Sequence, residues 1–217
     1  MGKEYIFEYD KPIERSFGIA DLRAVDEGSY IEGHPAVYDQ RTTIGNWFYE
    51  IIERGAFDST IFDDVLFSVN HDLRKIPLAR SRRNNGNSTM VLRLDEKGVY
   101  VRADLDVENN SESKSLYSAV KREDIDGMSF IFFVEEETWE DLNTDMPTRR
   151  ILKISKVIEV SAVNFPAYTG TDINARDQSV LDNAAKALDN ARSKLDNSKN
   201  EQGLEALRLK TQILMKG

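Results

Sequence analysis

Cysteine is absent from the 217 residues. That excludes disulfides, a thiolate nucleophile and a cysteine-based zinc site, and it suits a reducing compartment. Histidine is scarce as well, with His34 and His71 alone, so an imidazole base has to be one of these two, and no His-x-x-x-His spacing supports a metal hydrolase. No apolar run approaches the roughly 18 residues of a membrane span. The N-terminus, Met1-Gly2-Lys3-Glu4-Tyr5, carries charge at once with no apolar stretch behind it and reads as no secretory signal. Ile6 stands where N-myristoylation requires Ser or Thr. Positive charge is in deficit: 29 Lys and Arg face 38 Asp and Glu, for a net charge of -9. Such a surface repels phosphate backbones, which argues against direct nucleic-acid binding.

What is present suits a soluble protein, with 40% hydrophobic and 31% charged residues in a length that allows one core plus an appendage. The opening third alternates like β-structure: residues 4–9 and 13–25 read as strands around an Asp10-Lys11-Pro12 turn, and further short strands lie at Tyr30-Ile31 and Ala36-Val37-Tyr38. From Trp47 to Phe62 the spacing predicts a half-buried strand and then a short helix opening at Gly55-Ala56-Phe57. Val65-Leu66-Phe67-Ser68-Val69 is a compact strand that delivers His71 to its own end. Arg80, Arg82 and Arg83 form a basic patch in a polar loop, read as solvated. Val91 to Leu94 and Val99 to Val101 flank the turn Asp95-Glu96-Lys97-Gly98 as a hairpin. Ser111 to Lys121 has helical spacing, with Ser111 or Ser113 as N-cap.

Gly127-Met128-Ser129-Phe130 then opens a strand that continues through Ile131-Phe132-Phe133-Val134, placing Ser129 at the strand's mouth. A return strand runs from Arg149 to Val163 with Glu159 in its most apolar part. Simple alternation puts Glu159 on one face with Val157 and Ser161, either facing solvent or paired inside. These elements together predict an α+β fold, a β-rich barrel or closed, mostly antiparallel sheet with flanking helices, over residues 1–167. Residues 168–177 read as a linker. Residues 178–217 read as an amphipathic, coiled-coil-like helical tail, from Leu181, Ala184, Leu188, Ala191 and Leu195 onward. A serine, a histidine and a buried-capable carboxylate, each at or near a strand, are the three residue types of a hydrolase triad, so Ser129, His71 and Glu159 are the candidate site.

Five segments in order carry a resemblance. They are Glu32-Gly33-His34-Pro35-Ala36-Val37-Tyr38-Asp39-Gln40, Glu50 to Phe57, Asn70-His71-Asp72, Gly127-Met128-Ser129-Phe130, and Glu159-Val160-Ser161 with Pro166-Ala167. Over about residues 13–170 the chain resembles the prohead (procapsid maturation) proteases of tailed bacteriophages, which are similar in fold to the herpesvirus assemblins. The resemblance implies a serine endopeptidase with Ser129 as nucleophile and His71 as base, needing neither cofactor nor metal. The herpesvirus enzymes use a second histidine as third member; His34 stands outside that role, which leaves Glu159. The resemblance also implies an oxyanion site near Asn164-Phe165. It implies action inside the procapsid in the host cytoplasm, on the scaffolding segment of the major capsid protein and on the chain itself, with self-association through the tail. The alternative from another class is a non-enzymatic scaffold or capsid-interaction protein, for which Ser129 and His71 would lie out of reach of each other.

Overall fold

The computed structural model describes residues 12–17, 21–44, 46–164, 185–197 and 200–201. The strand expected over 4–9, the linker over 168–177 and the Phe165 part of the oxyanion expectation lie outside them. In chain order the elements are β1 (Ile13–Phe17), β2 (Arg23–Val25), β3 (Tyr30–Val37), β4 (Thr42–Ile44), β5 (Phe48–Ile52), β6 (Leu66–Val69), β7 (Ala79–Arg80), β8 (Met90–Leu94), β9 (Gly98–Asp104), α1 (Ser111–Lys121), β10 (Gly127–Glu140) and β11 (Thr148–Val163). Among the described residues strands dominate and helices are few.

Two sheets share one core. The larger has seven strands in the order β1-β10-β11-β5-β4, with β6 paired to β11 and β7 paired to β6, and the smaller has four in the order β2-β3-β9-β8. Neither closes into a barrel, which corrects the closed-sheet expectation. Among the described residues no backbone pairing joins the β1 and β4 edges. The larger sheet curls instead until Arg15 on its β1 edge reaches Glu50 on β5 through a side-chain ion pair, with Arg15 Nε 2.6 Å from the carboxylate. Ile31, Met90, Val99 and Val101 of the smaller sheet pack with Met128, Phe130, Phe132, Ile151 and Val160 of the larger, the usual way in which two sheets bury their inner faces.

The long β10–β11 hairpin is the axis of the larger sheet. Its strands pair antiparallel, while β5 and β6 both run parallel to β11, β5 at its start and β6 at its end. The chain between β5 and β6 fills the gap. Ile154 N donates to the Ala56 carbonyl at 2.8 Å, Ile61 N to the Ser155 carbonyl at 2.9 Å, and Thr60 Oγ1 to the Ile154 carbonyl at 2.6 Å. This is why no helix opens at Gly55: the backbone groups a helix would pair internally are taken by β11, and residues 54–59 form successive turns.

Local chemistry explains the smaller sheet. Asp95 Oδ1 accepts from Lys97 N at 2.9 Å and Gly98 N at 3.1 Å, closing the β8–β9 turn. A Cβ on Gly98 would fall 2.0 Å from the Ala36 carbonyl oxygen, so only glycine lets β9 approach β3 there. In β3 the register shifts between Gly33 and Ala36. Pro35 has no N–H to give the ladder, so the strand bulges at His34-Pro35. The helix α1 lies where expected, but its N-cap is Asn110, whose Oδ1 accepts from Glu112 N and Ser113 N. Within the expected tail, residues 185–197 are helical. Leu188 packs there with Ile44 and Phe48, with Trp47, Trp139 and Leu142 at the margin. Among the described residues no helix is long and apolar enough to cross a membrane.

Candidate active site

Ser129 is the third residue of β10. Met128, Phe130 and Phe132 point into the core, so Ser129 and Ile131 point to the other face. On that face the register sets Ser129 opposite Ser161, and Ile131 opposite Glu159, with Ser68 of β6 beside Ser161. The next pair is Phe132 with Val157, so Ile158 is an extra residue in β11. This bulge breaks the alternation expected from the sequence. Val157 joins the core, 2% exposed, while Glu159 turns to the opposite face and is fully buried there among hydroxyls. Of the two facings open to Glu159, the structure adopts the paired one.

His71 follows β6 directly. The chain must reverse immediately after Val69, and both Asn70 (φ 51°) and His71 (φ 54°) take left-handed backbone conformations to do it. The end of β11 holds them. Asn70 N donates to the Ala162 carbonyl at 2.9 Å, His71 N to Ser161 Oγ at 3.0 Å, and Asn164 N to Asn70 Oδ1 at 3.0 Å. The Asn164 N–H is therefore engaged by a side chain in this state rather than offered to an oxyanion.

With the backbone so placed, the imidazole spans the gap between strands. Nε2 lies 2.5 Å from Ser129 Oγ, and Nδ1 lies 2.5 Å from Glu159 Oε2. A carboxylate only accepts, so the ring proton belongs on Nδ1 and Nε2 is left with a lone pair for the serine proton. The three side chains form a continuous proton path from hydroxyl to carboxylate. A serine and histidine out of reach of each other, the arrangement the non-enzymatic alternative requires, is not what these side chains adopt.

Two features go beyond the sequence reading, which set Ser161 on the Glu159 face but gave neither Ser68 beside it nor a cover over Ser129. The first is the hydroxyl pair behind Glu159: Ser68 Oγ and Ser161 Oγ both contact Glu159 Oε1, Ser161 at 2.5 Å, and lie 2.7 Å from each other. The second is the cover over Ser129. The Ser129 side chain is fully buried, and its hydroxyl also lies 2.7 Å from the Arg15 carbonyl on the neighbouring strand β1. The single hydroxyl proton has two acceptors, the imidazole and a peptide carbonyl.

Arg15 is itself pinned. Its guanidinium meets Glu50 at 2.6 Å and 3.0 Å. Glu50 also accepts from Arg149 NH1 at 2.9 Å, and Arg149 Nε donates to Glu137 at 2.6 Å. All four side chains are buried. Burial pushes the Glu50 carboxyl up, but the Arg15 and Arg149 guanidiniums outweigh it and hold it below the ordinary carboxylate range.

His34, the other histidine, lies elsewhere. Nδ1 is 3.0 Å from both oxygens of Asp21, and Nε2 is 3.0 Å from Asp95. Its partners place it in the smaller sheet, apart from Ser129. Among the described residues no group of three or more His, Asp or Glu is placed to hold a metal ion.

A family model described as caudovirus prohead serine protease matches residues 19–186. Among solved structures the chain is similar to the bacteriophage T4 capsid assembly protease gp21, at 15% identity over 70% of this chain and 97% of that one, with a TM-score of 0.38. A likeness that loose carries no argument about fold. No curated protein matches the chain significantly.

Proposed function

Because the chain belongs to the caudovirus prohead serine proteases, we propose that Ser129, His71 and Glu159 are its catalytic triad. The observation that supports this most directly is the His71 ring bridging Ser129 Oγ and Glu159 Oε2 at 2.5 Å on either side. Neutral His71 takes the Ser129 proton at Nε2 as Oγ attacks the scissile carbonyl. Glu159 keeps Nδ1–H aligned and stabilises the imidazolium that forms. The imidazolium then protonates the leaving amine. His71 next deprotonates the water that hydrolyses the acyl-enzyme. The scissile carbonyl reaches Oγ only once the Arg15 carbonyl has given way, so the structure corresponds to a resting state with the nucleophile covered.

The substrate under this reading is the scaffolding segment of the major capsid protein, cut inside the procapsid, followed by the protease itself. The tail after about residue 177 serves as docking segment to scaffold or to other copies and is lost by self-cleavage. A fluorophosphonate probe tests the nucleophile: wild type takes up one equivalent at Ser129, and Ser129→Ala takes up none. Labelling of Ser129→Ala at an unchanged rate overturns the assignment. Co-expression with the capsid protein tests the substrate. Truncated capsid protein and a shortened protease are expected with wild type, and full-length chains with Ser129→Ala.

A further inference from the structure

We infer that Ser161, with Ser68 behind it, is a positioning residue of the proteolytic site, setting both the orientation of His71 and the hydrogen bonding of the Glu159 carboxylate. This rests on the triad reading above and adds the groups through which the triad is held. Ser161 Oγ has two lone pairs and one proton. It accepts the His71 backbone N–H at 3.0 Å, lies 2.7 Å from Ser68 Oγ, and donates to Glu159 Oε1 at 2.5 Å. One buried hydroxyl thus grips the base by its backbone and the acid by its carboxylate. Their separation is fixed by a bond to each rather than by the His71–Glu159 contact alone.

The backbone grip matters because His71 and Asn70 are consecutive non-glycine residues with positive φ. Such residues persist only where their surroundings hold them. The restraint on Asn70 comes from the backbone of Ala162 and Asn164, which most substitutions leave in place. The restraint on His71 N comes from a side chain, and a substitution removes it. The carboxylate grip matters for a different reason. Glu159 is fully buried, and hydrogen bonds donated to a carboxylate stabilise its ionised form and lower its proton affinity. Oε2 faces the imidazole while Oε1 faces the two serines. Withdrawing a donor from Oε1 makes Glu159 hold the Nδ1 proton more tightly and makes the imidazolium easier to form.

A hydroxyl that served packing alone would alter stability and leave the ionisation of the site untouched. The two roles separate in the pH dependence of fluorophosphonate labelling of the full chain, with kinact and KI measured individually. Ser161→Ala is expected to lower kinact roughly 10- to 100-fold, the range for losing a hydrogen bond to a charged group. KI should stay unchanged, because Ser161 sits behind Glu159, and the acid limb of kinact/KI should move up by about half to one pH unit. Ser68→Ala is expected to move the limb in the same direction with kinact nearly unchanged, since Ser68 bonds Glu159 but not the His71 backbone. Should Ser161→Ala fail to fold, Ser68→Ala carries the test by itself. An acid limb that stays in place in every alanine variant that folds overturns the inference, whatever happens to melting temperature. If Ser129→Ala still labels, the triad reading falls; if wild type labels at Ser129 and the limb does not respond to Ser161 or Ser68, only the positioning role falls.

Discussion

Replacing Glu50 by Gln removes one of four charges from a network sealed inside the larger sheet. Glu50 is 2% exposed and Arg149 is fully buried. Arg15 and Arg149 both converge on Glu50, and Arg149 continues to Glu137, whose other oxygen accepts from Trp139 Nε1 at 2.8 Å. Two cations and two anions balance. Glutamine keeps the shape but turns an N–H donor toward a guanidinium and leaves a surplus positive charge in the interior. Breaking one side of a buried pair costs about 3–5 kcal/mol, a large share of the roughly 5–15 kcal/mol that holds a domain together. At about 2–4 °C per kcal/mol for a chain of this size, the melting temperature should fall by about 6–20 °C at neutral pH. The control is Glu135→Gln, which breaks the exposed pair with Lys153 (2.7 Å) and should cost less than about 1 kcal/mol. The pH dependence has a definite sign. The folded Glu50 carboxyl is held below its ordinary value of 4.5, so its contribution is fully present above that value and is lost as pH falls through the folded pKa. The gap between wild type and Glu50→Gln, followed by circular dichroism or calorimetry, should be widest near pH 7 and close on acidification. A gap under about 2 °C at pH 7, or one that widens toward acid, refutes the reasoning.

Glu159→Gln should leave KM for a cleaved peptide nearly unchanged and lower kcat by about 10⁴-fold, because an amide no longer fixes the proton on Nδ1. Asn110→Ala removes the acceptor for Glu112 N and Ser113 N and should cost about 1 kcal/mol, read as a lower urea midpoint without loss of probe labelling. Burial tends to raise the Asp21 carboxyl, but hydrogen bonds from Lys97 and His34 outweigh it, lowering the pKa from 3.8 to about 2. Wild type should therefore exceed Asp21→Asn in stability above pH 3.8. Urea titrations should show that advantage fading as pH drops toward about 2.

The parts of this fold that could be read in the sequence are those set by neighbours in the chain. The β8–β9 turn, α1 and the long strands around Ser129 and Glu159 each follow from turn chemistry, helical spacing or apolar runs, and each lies within a few residues of its expected place. The misreadings share one cause. No helix forms at Gly55 because Ile154 N, far along the chain, takes the Ala56 carbonyl. Among the described residues the larger sheet stays open, its β1 edge tied to β5 by the Arg15–Glu50 ion pair and not by backbone pairing. The burial of Glu137, 2% exposed although it stands among three successive glutamates, is likewise set by a partner outside its own strand, the Arg149 guanidinium.

The candidate site divides in the same way. By itself the sequence determined that there are two possible imidazole bases, that one of them ends a strand, and that a serine opens another. Composition and local periodicity are enough for that. Only the tertiary structure decided which way Glu159 faces, because a single extra residue at Ile158 reverses the facing and shows itself only in the pairing with β10. It also decided that Ser68 and Ser161 stand behind the carboxylate, and that the Arg15 carbonyl covers the Ser129 hydroxyl. These are contacts between strands far apart in the chain. They depend on the register in which sheets pair, and no local pattern of residues encodes that register.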